Sequence, residues 1–189
     1  MDRGELCRRF DAAIDRLERA LRECPDELWE ASVWPVPTTD PWVWPAPGVE
    51  PIPERTEDSI QQFSAVWAVA THCLWFLDFY VSANPDGFQS PDYMEGNTEE
   101  APWPADGAAP LAHRVFDRET LLRYADHGRR QIRRRIETMP EPEFDDVCGP
   151  HHPHAGKTLR QLLEVNVRHV EEHGGQLAAF VDRGGRPAP

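Results

Sequence analysis

Leu6, Phe10, Ala13, Ile14, Leu17, Ala20 and Leu21 recur at three- and four-residue spacing, the pattern of one apolar stripe on a helix. Cys24-Pro25 ends that first helix, because proline has no amide hydrogen and disfavours helical backbone in the residue before it. A second helix is predicted from about Thr56 to Ala83, polar at Glu57, Asp58, Gln61 and Gln62 and apolar almost all round thereafter. It should be the most buried of the set. A third begins near Asp117, with Leu121, Leu122, Ala125, Ile132 and Ile136 on one side, and stops at Met139-Pro140. Its other side is crowded with Arg129, Arg130, Arg133, Arg134 and Arg135, expected to be a solvated face, with phosphate binding as the sharper alternative. The fourth opens on Thr158-Leu-Arg-Gln161, a capping-box pattern, and is stopped by Gly184-Gly185 and Pro187. Its buried stripe is Leu159, Leu162, Leu163, Val170, Leu177 and Val181.

The connections are as informative as the helices. Trp34 to Pro53 holds Trp34, Trp42 and Trp44 among seven prolines, too many missing N–H donors for regular helix or inner strand. The next connection, Asn84 to Phe116, is long enough to travel the length of a bundle, which permits two successive helices to run parallel. With no strand-like alternation of useful length and no internal repeat, the expected architecture is all-α. It is a single four-helix-bundle domain over residues 1–189, with long Pro-rich loops between helices 1 and 2 and between helices 2 and 3.

Composition narrows the function classes. A length of 189 residues with 40% hydrophobic content suits one domain with its own core. A formal charge of −13 would be repelled by a phosphate backbone or an anionic membrane surface, so small-molecule substrates or protein partners, including a second copy in a homodimer, are expected instead. Cys7, Cys24, Cys73 and Cys148 are scattered without a C-x-x-C, which suggests neither a disulfide framework nor a zinc ribbon. The charged start of the chain lacks a signal peptide's apolar region, and a cytoplasmic location is expected. Phe63 to Val81 approaches the roughly 20 residues that cross a bilayer. Yet it carries His72 and Asp78, lacks basic flanks and runs into Asn84-Pro85, which suits a helix buried in a core. Arginine outnumbers lysine 19 to 1, which suggests a GC-rich coding sequence.

The chemistry lies in the histidines. His173 falls between Val170 and Leu177 on the buried stripe of the fourth helix, and His169 lies one turn earlier on the same side, as shared ligands of one metal require. His72 is a third histidine in an apolar helix, where an unpaired ring would cost a few kcal/mol. It is either a core histidine bonded to a carbonyl or tyrosine, or the third ligand of a divalent metal held between His72, His169 and His173. Asn166 and Gln176, each three residues from a proposed ligand, are candidates to orient it. Cys73 adjoins His72, but neighbouring helical residues diverge by about 100°, so its thiol should point away.

Other features need weighing. His169-Val-Glu-Glu172-His173 also fits the inverted zinc-protease motif, but Asp182 is the only acidic residue after His173, on the same helix. His151-His152-Pro153-His154 is a second cluster, in a loop where nothing fixes ring geometry. Trp75, one turn beyond His72, is expected to be core rather than pocket wall. Trp42 and Trp44 are either a lid over a site or a satellite core.

At these residues a resemblance appears. Asn166-Val-Arg-His169-Val-Glu-Glu-His173-Gly-Gly-Gln176-Leu177, preceded by Thr158-Leu-Arg-Gln-Leu-Leu and with His72 in the second helix, resembles the last-helix signature of the DinB superfamily. The similarity follows the order of elements across most of the chain, leaving the two long loops unplaced. It implies an up-down-down-up bundle in which one ligand from helix 2 and two from helix 4 bind a metal such as zinc or nickel. Relatives with assigned activities include transferases and isomerases that use bacillithiol or mycothiol, and the GC-rich composition favours a mycothiol-like thiol. The expected activity is therefore metal-dependent S-transfer to a small electrophile. The alternatives are a metal-dependent hydrolase of a small substrate and a non-catalytic metal- or ligand-binding stress protein.

Overall fold

The computed structural model describes residues 1–82, 87–149 and 154–186. Four α-helices appear among them: α1 (Arg3–Glu23), α2 (Val66–Phe79), α3 (Arg118–Thr138) and α4 (Leu159–Asp182), with short 3-10 turns between. No strand is present among the described residues, and the protein is an all-α helical bundle. α1, α3 and α4 begin where side chains satisfy their orphan amides. Asp2 accepts from the Glu5 amide, Asp117 from that of Thr120, and Thr158 and Gln161 close a complete capping box. α4 ends as Gly184 and Gly185 take left-handed backbone at φ 60° and 81°, with the Gly185 amide reaching back to the Phe180 carbonyl.

The second helix departs from its periodic pattern. Residues Ser59–Ser64 form a 3-10 turn, the chain is extended at Ala65, and α2 starts only at Val66. The cause is non-local. The first amides of α2 are taken by the returning loop, Val66 N by the Ala31 carbonyl and Trp67 N by that of Trp29, while Val33 N donates to Ser64. Gln61 ties the same segment down through both the amide and the carbonyl of Val36. α2 has 14 residues, about 21 Å of helix. No helix among the described residues is long and apolar enough to cross a membrane.

The stripe of α1 is buried throughout, and α1 packs chiefly on α3 and α4 while α2 packs on the same two helices from the other side. Two glycines lie where helices approach closely. A Cβ on Gly174 would lie 3.4 Å from the Leu17 backbone nitrogen, and one on Gly128 would lie 2.7 Å from Leu77 Cδ2. The arginine face of α3 is largely solvated, as expected, with Arg130, Arg133 and Arg134 exposed. Its edge also meets α1, where Arg129 bridges Asp15 at 2.8 Å and Glu18 at 3.1 Å and Arg133 pairs with Asp11 at 2.6 Å. The four cysteines are free thiols.

The loop between α1 and α2 folds back as a second layer. Val36, Val43, Ile60 and Leu111 form a satellite core with Trp34 and Trp44 packed on it. Arg55 and Asp106 close this layer as an ion pair at 2.7 Å, with side chains 0% and 1% exposed. Arg55 also donates to the carbonyls of Val43 and Ala109, and Asp106 accepts from the amides of Ile52 and Ala108. Each guanidinium nitrogen and each carboxylate oxygen of the pair thereby has a partner, which a buried charge requires.

Candidate metal centre

His72 projects from the middle of α2, and His169 and His173 project one turn apart from α4. The three rings meet, each offering a nitrogen within 4.8 Å of the others. His169 Nε2 lies 3.3 Å from His72 Nε2 and 3.0 Å from His173 Nε2. Nitrogens bound tetrahedrally at about 2.0–2.1 Å from one zinc-like ion stand about 3.3 Å apart, so the spacing of these two pairs fits shared ligation.

The outer hydrogen bonds decide what those nitrogens are. His72 Nδ1 lies 2.8 Å from Glu99 Oε1, and His173 Nδ1 lies 2.8 Å from Gln176 Oε1. Both oxygens are acceptors, so both Nδ1 atoms carry the hydrogen and both Nε2 atoms turn a lone pair inward. His169 Nε2 sits between them. A neutral His169 could donate to only one, leaving the other lone pair facing nitrogen, whereas a cation would engage all three. Burial, with the neighbouring charges of His173 and His72, pushes His169 down to about 3, and burial first of all also lowers His173. Both rings of α4 are thus held in the neutral form that a metal ligand needs. His169 Nδ1 is buried without a hydrogen-bond partner.

The centre opens on a cavity of about 390 Å³, lined by His72 and His173 together with Trp34, Phe63, Trp75, Phe76, Trp42 and Trp103. Trp75 is therefore a pocket wall and not the core residue its helix position suggests. It is half-buried and donates through Nε1 to Glu100 at 2.9 Å. The two loop tryptophans part company: Trp42 borders the cavity and Trp44 joins the satellite core. No lysine or arginine lines the cavity among the described residues.

Other expectations resolve individually. Gln176 meets His173, but Asn166 donates to the Leu77 carbonyl at 3.2 Å and does not orient a histidine. Cys73 is fully buried in the core, and burial drives its thiol pKa far upward, away from thiolate. Glu172 of the protease-like motif is exposed. His154 bonds the Tyr80 hydroxyl at 3.0 Å, while His151 and His152 lie outside the described residues. Glu99 was invisible to the sequence pattern. It sits in a loop beside other carboxylates, 27 positions from His72, and only the turn capped by Asn97 presents it.

A sequence model of the DinB superfamily matches residues 9–177. The chain belongs to the DinB superfamily. The matched span includes His72, His169, His173, Glu99 and Gln176, so the whole centre lies within the DinB region. No curated protein matches this DinB chain, and no solved structure does. Metal binding is general in the DinB superfamily, and the three-histidine cluster supplies suitable donors for it here.

Proposed function

We propose that the protein is a metal-dependent transferase in which His72, His169 and His173 hold a divalent cation such as zinc or nickel. A low-molecular-weight thiol, mycothiol-like in character, would give up its proton and form an S–C bond to a small electrophile, whose leaving group departs with the bonding electrons and takes up a proton. The observation that carries this reading is the convergence of three Nε2 atoms, two of them turned inward by Glu99 and Gln176, at the floor of a cavity. When bound by three imidazoles, such a cation keeps an open position and lowers the pKa of a thiol or water placed there.

The chain's own residues have distinct tasks in this scheme. Glu99 and Gln176 hold the rings of His72 and His173 in one tautomer and orientation. Phe76 packs edge-on against both His72 and His169, at 4.8 and 5.6 Å between ring centres, and shields that side from water. Trp75 and Phe63 wall the space in which the electrophile is positioned. No protein nucleophile is required, since Cys73 faces the core. We also read the bundle as up-down-down-up, a topology supported by the pairing of the helices along their lengths. The Met1 amino group lies near Glu164 and Gly174 packs on Leu17, so α1 and α4 run alike. Arg3 reaches the Ile136 carbonyl and Arg118 that of Leu21, so α1 and α3 run oppositely. Asn166 meets Leu77 while His173 meets His72, so α2 and α4 run oppositely.

The test is to load the protein with zinc or nickel and follow thiol consumption with mycothiol and a panel of small electrophiles. Transfer should scale with metal occupancy and survive Cys73→Ser. Loss of transfer in Cys73→Ser with metal content intact would contradict the scheme. Turnover without added thiol would select a hydrolase instead, and full occupancy with no turnover of either kind a binding protein.

A further inference from the structure

The outer end of the cavity is built differently from its histidine floor. Trp42 and Trp103 come from separate loops and meet edge to face, with ring centres 5.1 Å apart and planes at 88°. They remain 53% and 52% exposed, so about half of each residue stays open to a ligand. Two indoles at right angles form a corner, and their electron-rich faces attract an organic cation lodged in it. Asp40 lines the same cavity. One of its carboxylate oxygens accepts from the Trp42 amide at 2.9 Å, and it makes no ion pair among the described residues.

The corner is also held in place. The Ala109 amide donates to the Trp42 carbonyl at 2.8 Å, and Arg55 holds Val43 and Ala109 from beneath. A preformed corner spares the ligand the cost of ordering the loops. Among the described residues no lysine or arginine lines the cavity, and the chain carries a net charge of −13, so away from the histidine floor no basic side chain favours an anionic group at the corner.

We propose that Trp42, Trp103 and Asp40 form a recognition corner for an organic cation, such as a methylated ammonium head. The molecule that reacts at the histidine floor carries that head. Binding at the corner is independent of metal, and only its role as substrate recognition rests on the transferase reading.

Phenyltrimethylammonium and tetramethylammonium are titrated into the protein, metal-loaded and chelator-stripped, with binding read by tryptophan fluorescence and calorimetry. Benzyl alcohol and benzoate serve as neutral and anionic controls. Saturable binding of both cations is expected with and without metal, weakened about tenfold by Trp103→Ala and less by Trp103→Phe. Asp40→Asn should weaken the cations severalfold without changing benzyl alcohol binding. His173→Ala should leave cation binding intact even as metal is lost, which separates this proposal from the transferase reading. Circular dichroism confirms that the variants are folded. Equal or tighter binding of benzyl alcohol or benzoate would overturn the proposal, as would cation binding indifferent to both Trp103→Ala and Asp40→Asn.

Discussion

His169 and His173 stand one turn apart on a single helix, whereas Trp42 and Trp103 stand on two loops and are brought together by contacts far apart in sequence. The first arrangement is a consequence of helical period. Once α4 packs its apolar stripe inward, both imidazoles must share a side. The second depends on the Arg55–Asp106 clasp, which joins residues 51 positions apart beneath the cavity. Two of the floor's three imidazoles are thus fixed by local geometry, with His72 brought to them by the packing of α2 on α4, and the recognition rim rests on tertiary geometry alone. The two should fail separately.

The largest effect that would sharpen this contrast is expected from Arg55→Ala. Removing one partner of a buried pair leaves Asp106 uncompensated, a loss of about 3–5 kcal/mol. The loss should appear in urea denaturation and as faster amide exchange over residues 40–60 and 104–111, with metal content unchanged in folded protein. Concerted loss of metal would show that rim and floor are one unit.

Acid should separate them as well. His169 is pushed from 6.5 to about 3 in the folded, metal-free protein, so the unfolded chain binds more protons between those values. Its contribution to stability is full above about pH 6.5 and is lost as pH falls toward 3, whereas in the folded protein protons compete with metal at His169 only toward the lower end of that window. Asp106 behaves otherwise. Burial alone would raise its carboxyl, but Arg55 and the Ile52 and Ala108 amides outweigh burial and hold it below its ordinary value of 3.8. The clasp should therefore persist until pH drops below that value. A fall in the unfolding stability of the metal-free protein between pH 6.5 and 5, with loop exchange protection still intact at pH 5, is the expected result. Simultaneous loss would break the comparison.

Smaller effects follow from single hydrogen bonds. Glu99→Gln exchanges a carboxylate for an amide at His72 Nδ1 and should weaken zinc affinity about tenfold or more, measured by competition with a chelator. Trp103→Ala should change global stability by less than about 0.5 kcal/mol, because half of that ring is already in solvent.

What was legible in the sequence follows the same division. α1, α3 and α4 end where their caps, prolines and glycines place the boundaries, because those signals are local. The start of α2 was not legible, since Ala31 and Val33 reach across to capture the backbone of Val66 and Ser64, and Val36 takes the Gln61 side chain. His169 and His173 could be read as inward-facing from stripe position, and His72 only from its place in an otherwise apolar helix. Glu99 could not, because nothing in its loop distinguishes it from Glu95 or Glu100. The arginine face of α3 did have a readable partner. Asp11, Asp15 and Glu18 recur at spacings of four and three on α1, an acidic stripe beside the apolar one.

The central claim is that three imidazoles share one metal. Elemental analysis of untagged wild type and of His72→Ala, His169→Ala and His173→Ala tests it most directly. About one zinc or nickel per chain in wild type, lost in each folded variant, is the predicted result. Metal absent from wild type after loading, or retained by all three variants, would contradict it.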